Sequence, residues 1–451
     1  MSYTQRSAID AASQGKRWPT TTAVNATSVH AASALAARRG THFAFNDPVA
    51  ARIADAWCAS LLGETGPRPQ LTEFDKALAA PLERGFARWA RRAGVNDDDL
   101  LSLAYQAVRS MVIEGEAFLH LTDLDGRLRL TLLDSNQVNR SLTRELASGG
   151  RIVQGVEFDA AGIIAAYHVL PEPPASPFPQ NLTAQRIDAA DILHVFRPLT
   201  AGQVRGLTWL TPVMTVLAEI GSIRDAQLAR ARVSALFAGF VRDPDGGAAG
   251  LDANDGAFLE GGLEPGVLKI LRPGQDITFS APAQTGDIPD FLKSQLHAVA
   301  AGVGLTYAQL TGDLSDANYS STRAGALEHR RLAGALQRQT IGPRFYAPIW
   351  RRWALLQALR GEMDAETFDA DPDALLDADW LWPGWAQVDP LKEAQADIAA
   401  VTAGLKSRRE VIAARGRDPD AVLDEITQDR AAAQPTPPPP TPTEDVDNDD
   451  D

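Results

Sequence analysis

Phe291-Leu292-Lys293-Ser294-Gln295-Leu296-His297-Ala298-Val299-Ala300-Ala301-Gly302-Val303-Gly304 opens a stretch, running to Arg360, around which the rest of the chain is organised. Leu292, Leu296, Val299 and Val303 recur at three- and four-residue spacing, which predicts the apolar face of a helix. Gly302 and Gly304 stop it. Residues 305–321 show no period: Tyr307, Leu310 and Tyr319 are scattered among Thr, Asp, Asn, Gly and Ser, the composition of a polar loop. A long helix is expected to restart at Thr322. From Arg323 onward it carries Arg323, Arg330, Arg331, Arg338, Arg344, Arg351, Arg352 and Arg360 against the single acid Glu328.

That imbalance stands out because the 451-residue chain has a formal net charge of −15. A protein gripping duplex DNA statically is expected to be basic, so the overall balance argues against tight static binding. The plainer reading of the arginines is a solvated face, or one paired with acids of a neighbouring subunit. One cysteine, Cys58, excludes an internal disulfide framework and a cysteine-rich zinc site, and reads as a small core residue beside Trp57. No apolar run approaches the ~20 residues of a bilayer span, and residues 1–17 lack the apolar region of a signal peptide. A soluble protein that is not exported is expected.

Residues 1–35, rich in Ser, Thr, Ala and Gln, read as a flexible arm. Asn46-Asp47-Pro48 then caps a helix through Val49, Ile53, Ala56, Trp57 and Leu61, with Pro48 in its first turn. Helices follow at 71–93 and 97–114. Strands 117–121 and 128–133 flank Asp125-Gly126, a hairpin signal, and 153–158 with 163–169 make a second pair. Glu114 and Glu116 read as solvated acids at a helix-to-strand junction, and His168 and His194 as packed histidines. Five prolines in residues 171–179 make a connecting loop. After a strand at 192–196, a helix from Trp209 to about Phe240 mixes large apolar residues with alanines, which lets neighbouring helices approach closely. Residues 242–286, punctuated by Gly and Pro, hold two short strands at 267–271 and 276–279. Trp380 to Trp385 reads as a returning strand whose tryptophans pack in a core or against a neighbour. Amphipathic helices are expected at 391–404, 407–415 and 418–431, with Ser407 and Asp418 as caps and Pro419 at the first helical position. The tail from Gln434 is proline-rich and then acidic (Glu444, Asp445, Asp447, Asp449, Asp450, Asp451), a disorder signal.

The run Gly304-Leu305-Thr306-Tyr307-Ala308-Gln309-Leu310-Thr311-Gly312-Asp313-Leu314-Ser315-Asp316-Ala317-Asn318-Tyr319-Ser320-Ser321-Thr322-Arg323 resembles the lambda-type family of tailed-phage portal proteins. The likeness continues in Asp191-Ile192-Leu193-His194-Val195-Phe196-Arg197-Pro198, in Gly202-Gln203-Val204-Arg205-Gly206-Leu207, and in Trp385 with Asp389-Pro390, in the family's order. It implies an α+β portal fold: a mixed wing (36–206), a stem helix (207–241), a clip inserted between stem helices (242–286), a returning stem helix (287–304) and a tunnel loop (305–321). A long helix and wing return (322–390), a helical crown (391–431) and the acidic tail (432–451) complete it. The implied function is a ring, of twelve copies by the same resemblance, at one capsid vertex, through which double-stranded DNA is packaged and later ejected. A mostly acidic chain with one basic helix suits such a conduit, since every phosphate contact adds friction. The implied partners are further copies of the chain, the terminase large subunit, major capsid and scaffold proteins, and head-tail connector proteins. The expected location is the virion, after assembly in the host cytoplasm.

The resemblance puts Asp313, Leu314, Ser315, Asp316, Asn318, Tyr319, Ser320 and Ser321 on the loop facing DNA. Arg323, Arg330, Arg331 and Arg338 are offered either to phosphate or to acids of a neighbouring subunit. The loop's plainer reading is a helix cap, with Ser321 or Thr322 as N-cap. No phosphate-loop, zinc-protease or nucleophile-elbow pattern is present, so neither catalytic residues, cofactor nor metal is expected, and energy for packaging would come from a partner ATPase. The competing readings are a maturation hydrolase using Ser320 or Ser321 with His329, and a static DNA-binding adaptor.

Overall fold

The chain enters its core through helix α1 (Ala26–Asn46), so the expected arm is already helical ten residues before its predicted end. Val29, Ser33, Ala37, Gly40 and Ala44 are its buried face, at the three- and four-residue spacing of a helix but built from side chains too small to announce a period. A Cβ at Gly40 would lie 2.2 Å from the Ile113 carbonyl oxygen, so only glycine lets α1 come this close to its neighbour. The structure, a computed structural model, describes residues 26–74, 76–174, 176–177, 183–235, 240–241, 269–270, 288–315, 318–362, 368, 371–387 and 389–432. The acidic tail, most of the expected clip and residues 1–25 lie outside this set.

Asp47, extended at φ −115°, accepts from the Val49 and Ala50 amides at 2.9 Å each and starts α2 (Pro48–Leu62), as its sequence predicts. Ile53, Trp57 and Leu61 bury the face that meets α4 (Leu100–Ile113), which Asp99 caps. Between them run β1 (Arg68–Gln70) and α3 (Lys76–Ala90). Next comes the predicted hairpin, β2 (Glu116–Leu124) and β3 (Arg127–Leu133), turned by Asp125 and Gly126 at φ 52° and 71°. The expected second strand pair is present as β6 (Val156–Phe158) with β7 (Ile164–Val169), inside a longer meander that adds β4 (Arg144–Glu145), β5 (Arg151–Val153) and β8 (Gln185–Asp188). Gln154 and Gly155, at φ 48° and 83°, make a two-residue turn where one continuous strand is predicted.

Strand β9 (Ile192–Phe196) pairs antiparallel with β2, which makes β2 the centre of a three-stranded sheet. Side-chain alternation then divides the interior. Ala117, Leu119 and Leu121 face the helical core with Leu193 and Val195, whereas Phe118 and Ile192 join Val156, Tyr167 and Val169 in a smaller core against the meander.

Helix α5 (Met214–Ala235) leaves this body: Leu217 and Ile220 are buried, but none of residues 221–232 is. Its predicted continuation to Phe240 does not occur, because Phe240–Val241 forms β10, parallel to β11 (Lys269–Ile270). The expected strand at 276–279 lies outside the described residues. Helix α6 (Ile288–Gly302) returns beside α5, with Gly302 touching Val213 so closely that a Cβ would sit 2.7 Å from its methyl. Short α7 (Tyr307–Thr311) and then α8 (Tyr319–Leu336) follow. The predicted single basic helix is broken: a π-helix (Gln337–Tyr346) around Pro343, which lacks an N–H, separates α8 from α9 (Ala347–Leu359). After α10 (Pro372–Leu376), β12 (Asp379–Leu381) pairs antiparallel with β1, as a returning strand should. Helices α11 (Pro390–Thr402), α12 (Arg408–Ala414) and α13 (Pro419–Ala432) end the described chain, α12 capped by Ser407 as expected.

Candidate functional site

The polar stretch expected to be one loop is two capped helix ends with a short exposed turn between them. Thr306 and Gln309 form a capping box: the Gln309 amide donates to the Thr306 hydroxyl at 3.2 Å, and the Thr306 amide to Gln309 Oε1 at 2.9 Å. Residues 307–311 are therefore helical, a correction to the aperiodic reading. Gly312, left-handed at φ 74°, ends the helix. Asp313 then accepts from the Ser315 amide at 2.9 Å and from the Tyr307 hydroxyl at 3.4 Å, and these hydrogen bonds, Ser315's first, hold its carboxyl below the ordinary range. Leu314, 61% exposed, and Ser315 form the tip.

Asn318, and neither Ser321 nor Thr322, is the N-cap of α8. Its Oδ1 accepts from the Ser321 amide at 2.8 Å, while its own amide donates to the Ser321 hydroxyl at 3.1 Å. Helix α8 thus begins at Tyr319, three residues before the expected restart. Ser320 is exposed on its first turn, and Asp316 lies outside the described residues. Capping and exposure coexist here: the cap fixes where α8 starts, and Leu314, Ser315 and Asn318 stay in water.

The arginines separate by partner. Arg323 lies 3.6 Å from Glu393 of α11, and Arg330 donates to the Ala386 carbonyl at 2.6 Å with its guanidinium 5.6 Å over Trp385. Arg344 covers Phe196 at 4.5 Å, Arg351 pairs with Asp377, Arg352 bridges Asp123 at 2.9 Å and Asp191 at 3.1 Å, and Arg360 pairs with Glu362 at 2.8 Å. Most counter-charges thus come from this same chain, from segments that the sequence places far away. Among the described residues Arg331 pairs only with Glu328, at 3.7 Å, both side chains about four-fifths exposed, and Arg338 is exposed. They sit about two helical turns apart, so they share a face with half-exposed Leu327.

His329 is engaged elsewhere. Its Nδ1 lies 3.1 Å from the Gly304 carbonyl, which can only accept, so Nδ1 carries the proton and Nε2 accepts from the Ser60 hydroxyl at 2.8 Å. Burial lowers its pKa more than the Gly304 contact raises it. Along the helix Ser320 and Ser321 are ~12–14 Å away. The structure does not bring the hydrolase pair together.

The sequence reading misses the cluster that anchors the start of α5. Glu116 is not a solvated junction acid but fully buried, accepting from Arg205 Nη2 at 2.6 Å, Arg140 at 2.5 Å, His194 Nε2 at 2.9 Å and the Gly206 amide at 2.8 Å. Burial alone would raise its pKa, but Arg205, then Arg140, and the His194 bond outweigh that and hold it well below the carboxylate range. Burial likewise pushes His194 down to about 4, so it is neutral. His168, buried as predicted, lies 2.8 Å from Glu157. The sequence carries only a faint signal for the cluster, an arginine beside a glycine before a long helix.

The sequence model of the "Phage portal protein, lambda family" matches residues 12–337. The chain is 25% identical over 374 residues to the "Probable portal protein" of Halomonas phage phiHAP-1, covering 79% of this chain and 71% of that one. It is 24% identical over 313 residues to "Portal protein B" of Escherichia phage lambda, covering 62% and 58% respectively, so it spans under two thirds of that relative. Among solved structures, chains from the "Virion of native gene transfer agent (GTA) particle" and the "Neck of native GTA particle computed with C12 symmetry" each align at TM-score 0.46 and 16% identity, over 86% of this chain and 94% of theirs.

Proposed function

This chain belongs to the lambda family of phage portal proteins, and from that premise we propose that copies of it close into a ring at one vertex of a capsid, enclosing a channel through which double-stranded DNA is packaged and ejected. The observation that carries the ring is α5. About 33 Å long at ~1.5 Å per residue, it buries only its first two turns against the described residues of its own chain and leaves Leu228 55% exposed among alanines. A helix so poor in intrachain partners gains its missing contacts from the equivalent helix of the next copy, and a heterologous contact that rotates correctly closes into a ring.

In this reading α5 and α6 are the stem, the segment between them the clip, the two sheets and their helices the wing, and α11–α13 the crown. The turn at 312–318 faces the channel. Asp313, Leu314 and Ser315 offer short polar contacts and one apolar tip, too shallow to hold DNA in any register. Arg331 and Arg338 supply diffuse attraction to phosphate or meet acids of the neighbouring copy. Twelve subunits, a terminase on the clip, capsid and scaffold proteins around the wing and connector proteins below complete the assembly. No helix among the described residues is long and apolar enough to cross a membrane. The protein is structural, and a partner ATPase supplies the work.

The test is shortening of residues 313–318. Rings seen by electron microscopy should persist and empty capsids should form, while packaged or retained DNA falls. Normal packaging and retention would remove the turn from the channel; a monodisperse monomer in every salt would remove the ring. Tight, strongly salt-dependent binding of duplex DNA to the isolated protein would favour a static adaptor instead.

A further inference from the structure

A groove of about 620 Å3 opens between α3, the segment around β1 and the start of α13. Its floor is apolar, with Phe86 and Leu101. Tyr346, 2% exposed, lines it as well, and its hydroxyl has no hydrogen-bond partner among the described residues. That hydroxyl is also sealed from solvent, so the phenol contributes only its apolar ring to the wall. The groove's rim is basic: Arg68, Arg84 and Arg91 line it, and Arg88 continues the row along α3. All four are exposed, and none has an acid within 4 Å among the described residues. Three acids line the groove too, each accepting from a backbone amide, but none lines the adjoining hollow of Arg84, Arg88 and Arg91. Glu83 accepts from the Leu71 amide at 2.9 Å, Asp99 from Ser102 at 2.7 Å and Asp418 from Asp420 at 2.8 Å.

We propose that this groove is the docking site for the chain's own proline-rich acidic segment, residues 434–451. The chemistry matches part by part. Pro437, Pro438, Pro439 and Pro440 present rigid apolar rings for the floor. Glu444, Asp445 and Asp447 follow, to meet the arginine row. The reach is adequate. Asp418 and Ala421 line the groove, so Ala432 at the far end of the 14-residue α13 is no more than ~21 Å away. About a dozen residues separate Ala432 from Glu444, ~37 Å as polyproline II.

The test uses the full chain with a nitroxide on T443C; Cys58 is buried and stays unlabelled. At low salt the spin-label spectrum should be immobilised. It should become mobile in R84E/R88E/R91E and return when E444K/D445K/D447K is added to that variant. Labelled protein mixed with excess unlabelled R84E/R88E/R91E should remain immobilised if the contact is within one chain. A label equally mobile in the wild-type and arginine variants overturns the proposal. So does loss of immobilisation in the mixture, which assigns the segment to a neighbouring copy, and so does a duplex DNA probe whose binding the arginine variant abolishes while the label is unaffected.

Discussion

Arg205 and Glu116 share three hydrogen bonds of 2.6 to 3.0 Å with neither side chain exposed to solvent at all. Arg205 also donates to the carbonyls of Val138, Gln154 and Ser135, so the guanidinium ties two strand connections, β3 to β4 and β5 to β6, to the backbone leading into Gly206. Replacing one partner strands the other charge in a medium that cannot solvate it. E116Q should therefore lower stability by about 3–5 kcal/mol, read as a shift in denaturant midpoint. A change under ~1 kcal/mol would mean water reaches the cluster.

The same cluster sets a pH dependence. His194 has a folded pKa of about 4 against 6.5, so between those values the unfolded chain binds more protons, and stability must fall as pH drops from 6.5 toward 4. Glu116, held low, adds to the loss only at stronger acidity, below its unfolded value. His194→Gln keeps a donor for Glu116 and removes the titration. The slope of stability against pH in that window should flatten by up to one proton, ~1.4 kcal/mol per pH unit; an unchanged slope would assign it to His30, His120 and His329, whose pKa values burial also lowers.

Asn318→Ala should cost about 1 kcal/mol by removing the cap of α8. If thermal stability drops by that amount while DNA retention is normal, and shortening the turn also leaves retention normal, the segment serves the helix alone.

Arg331→Glu and Arg338→Glu should change the stability of the unassembled chain by under ~0.5 kcal/mol, because both side chains are in water. Arg352→Ala, which releases Asp123 and Asp191, should cost at most about 1 kcal/mol for a pair this exposed. Any effect of the first two on ring assembly or DNA retention is then a contact with something outside the chain.

The Cys58 thiol is fully buried, and burial pushes it up to about 12. A thiol reagent at pH 8 should leave it unmodified in the native protein and react at a rate that tracks unfolding. Fast native labelling would show that α2 opens locally.

What the sequence makes readable is short-range chemistry. Asp47-Pro48 starts a helix and Asp125-Gly126 turns a hairpin because the residues that decide lie side by side. The α1 face was hidden because serine, alanine and glycine carry too little hydrophobic contrast to show a period. Glu116 looked solvated because its partners, Arg140, His194 and Arg205, arrive from 24, 78 and 89 residues away. Arg352 looked unpaired for the same reason, with Asp123 and Asp191 supplied by the sheet.

The pairing of Arg68–Gln70 with Asp379–Leu381 sets a schedule for synthesis. The first strand emerges from the ribosome roughly 310 residues before its partner, a wait of ~15–60 s at ~5–20 residues per second. For most of that interval Phe86 lacks all of Trp350, Trp353 and Trp380, the rings it meets in the finished fold. A chain truncated before Trp350 has none of the three rings and leaves Phe86 bare, apolar surface of the kind that makes incomplete chains aggregate.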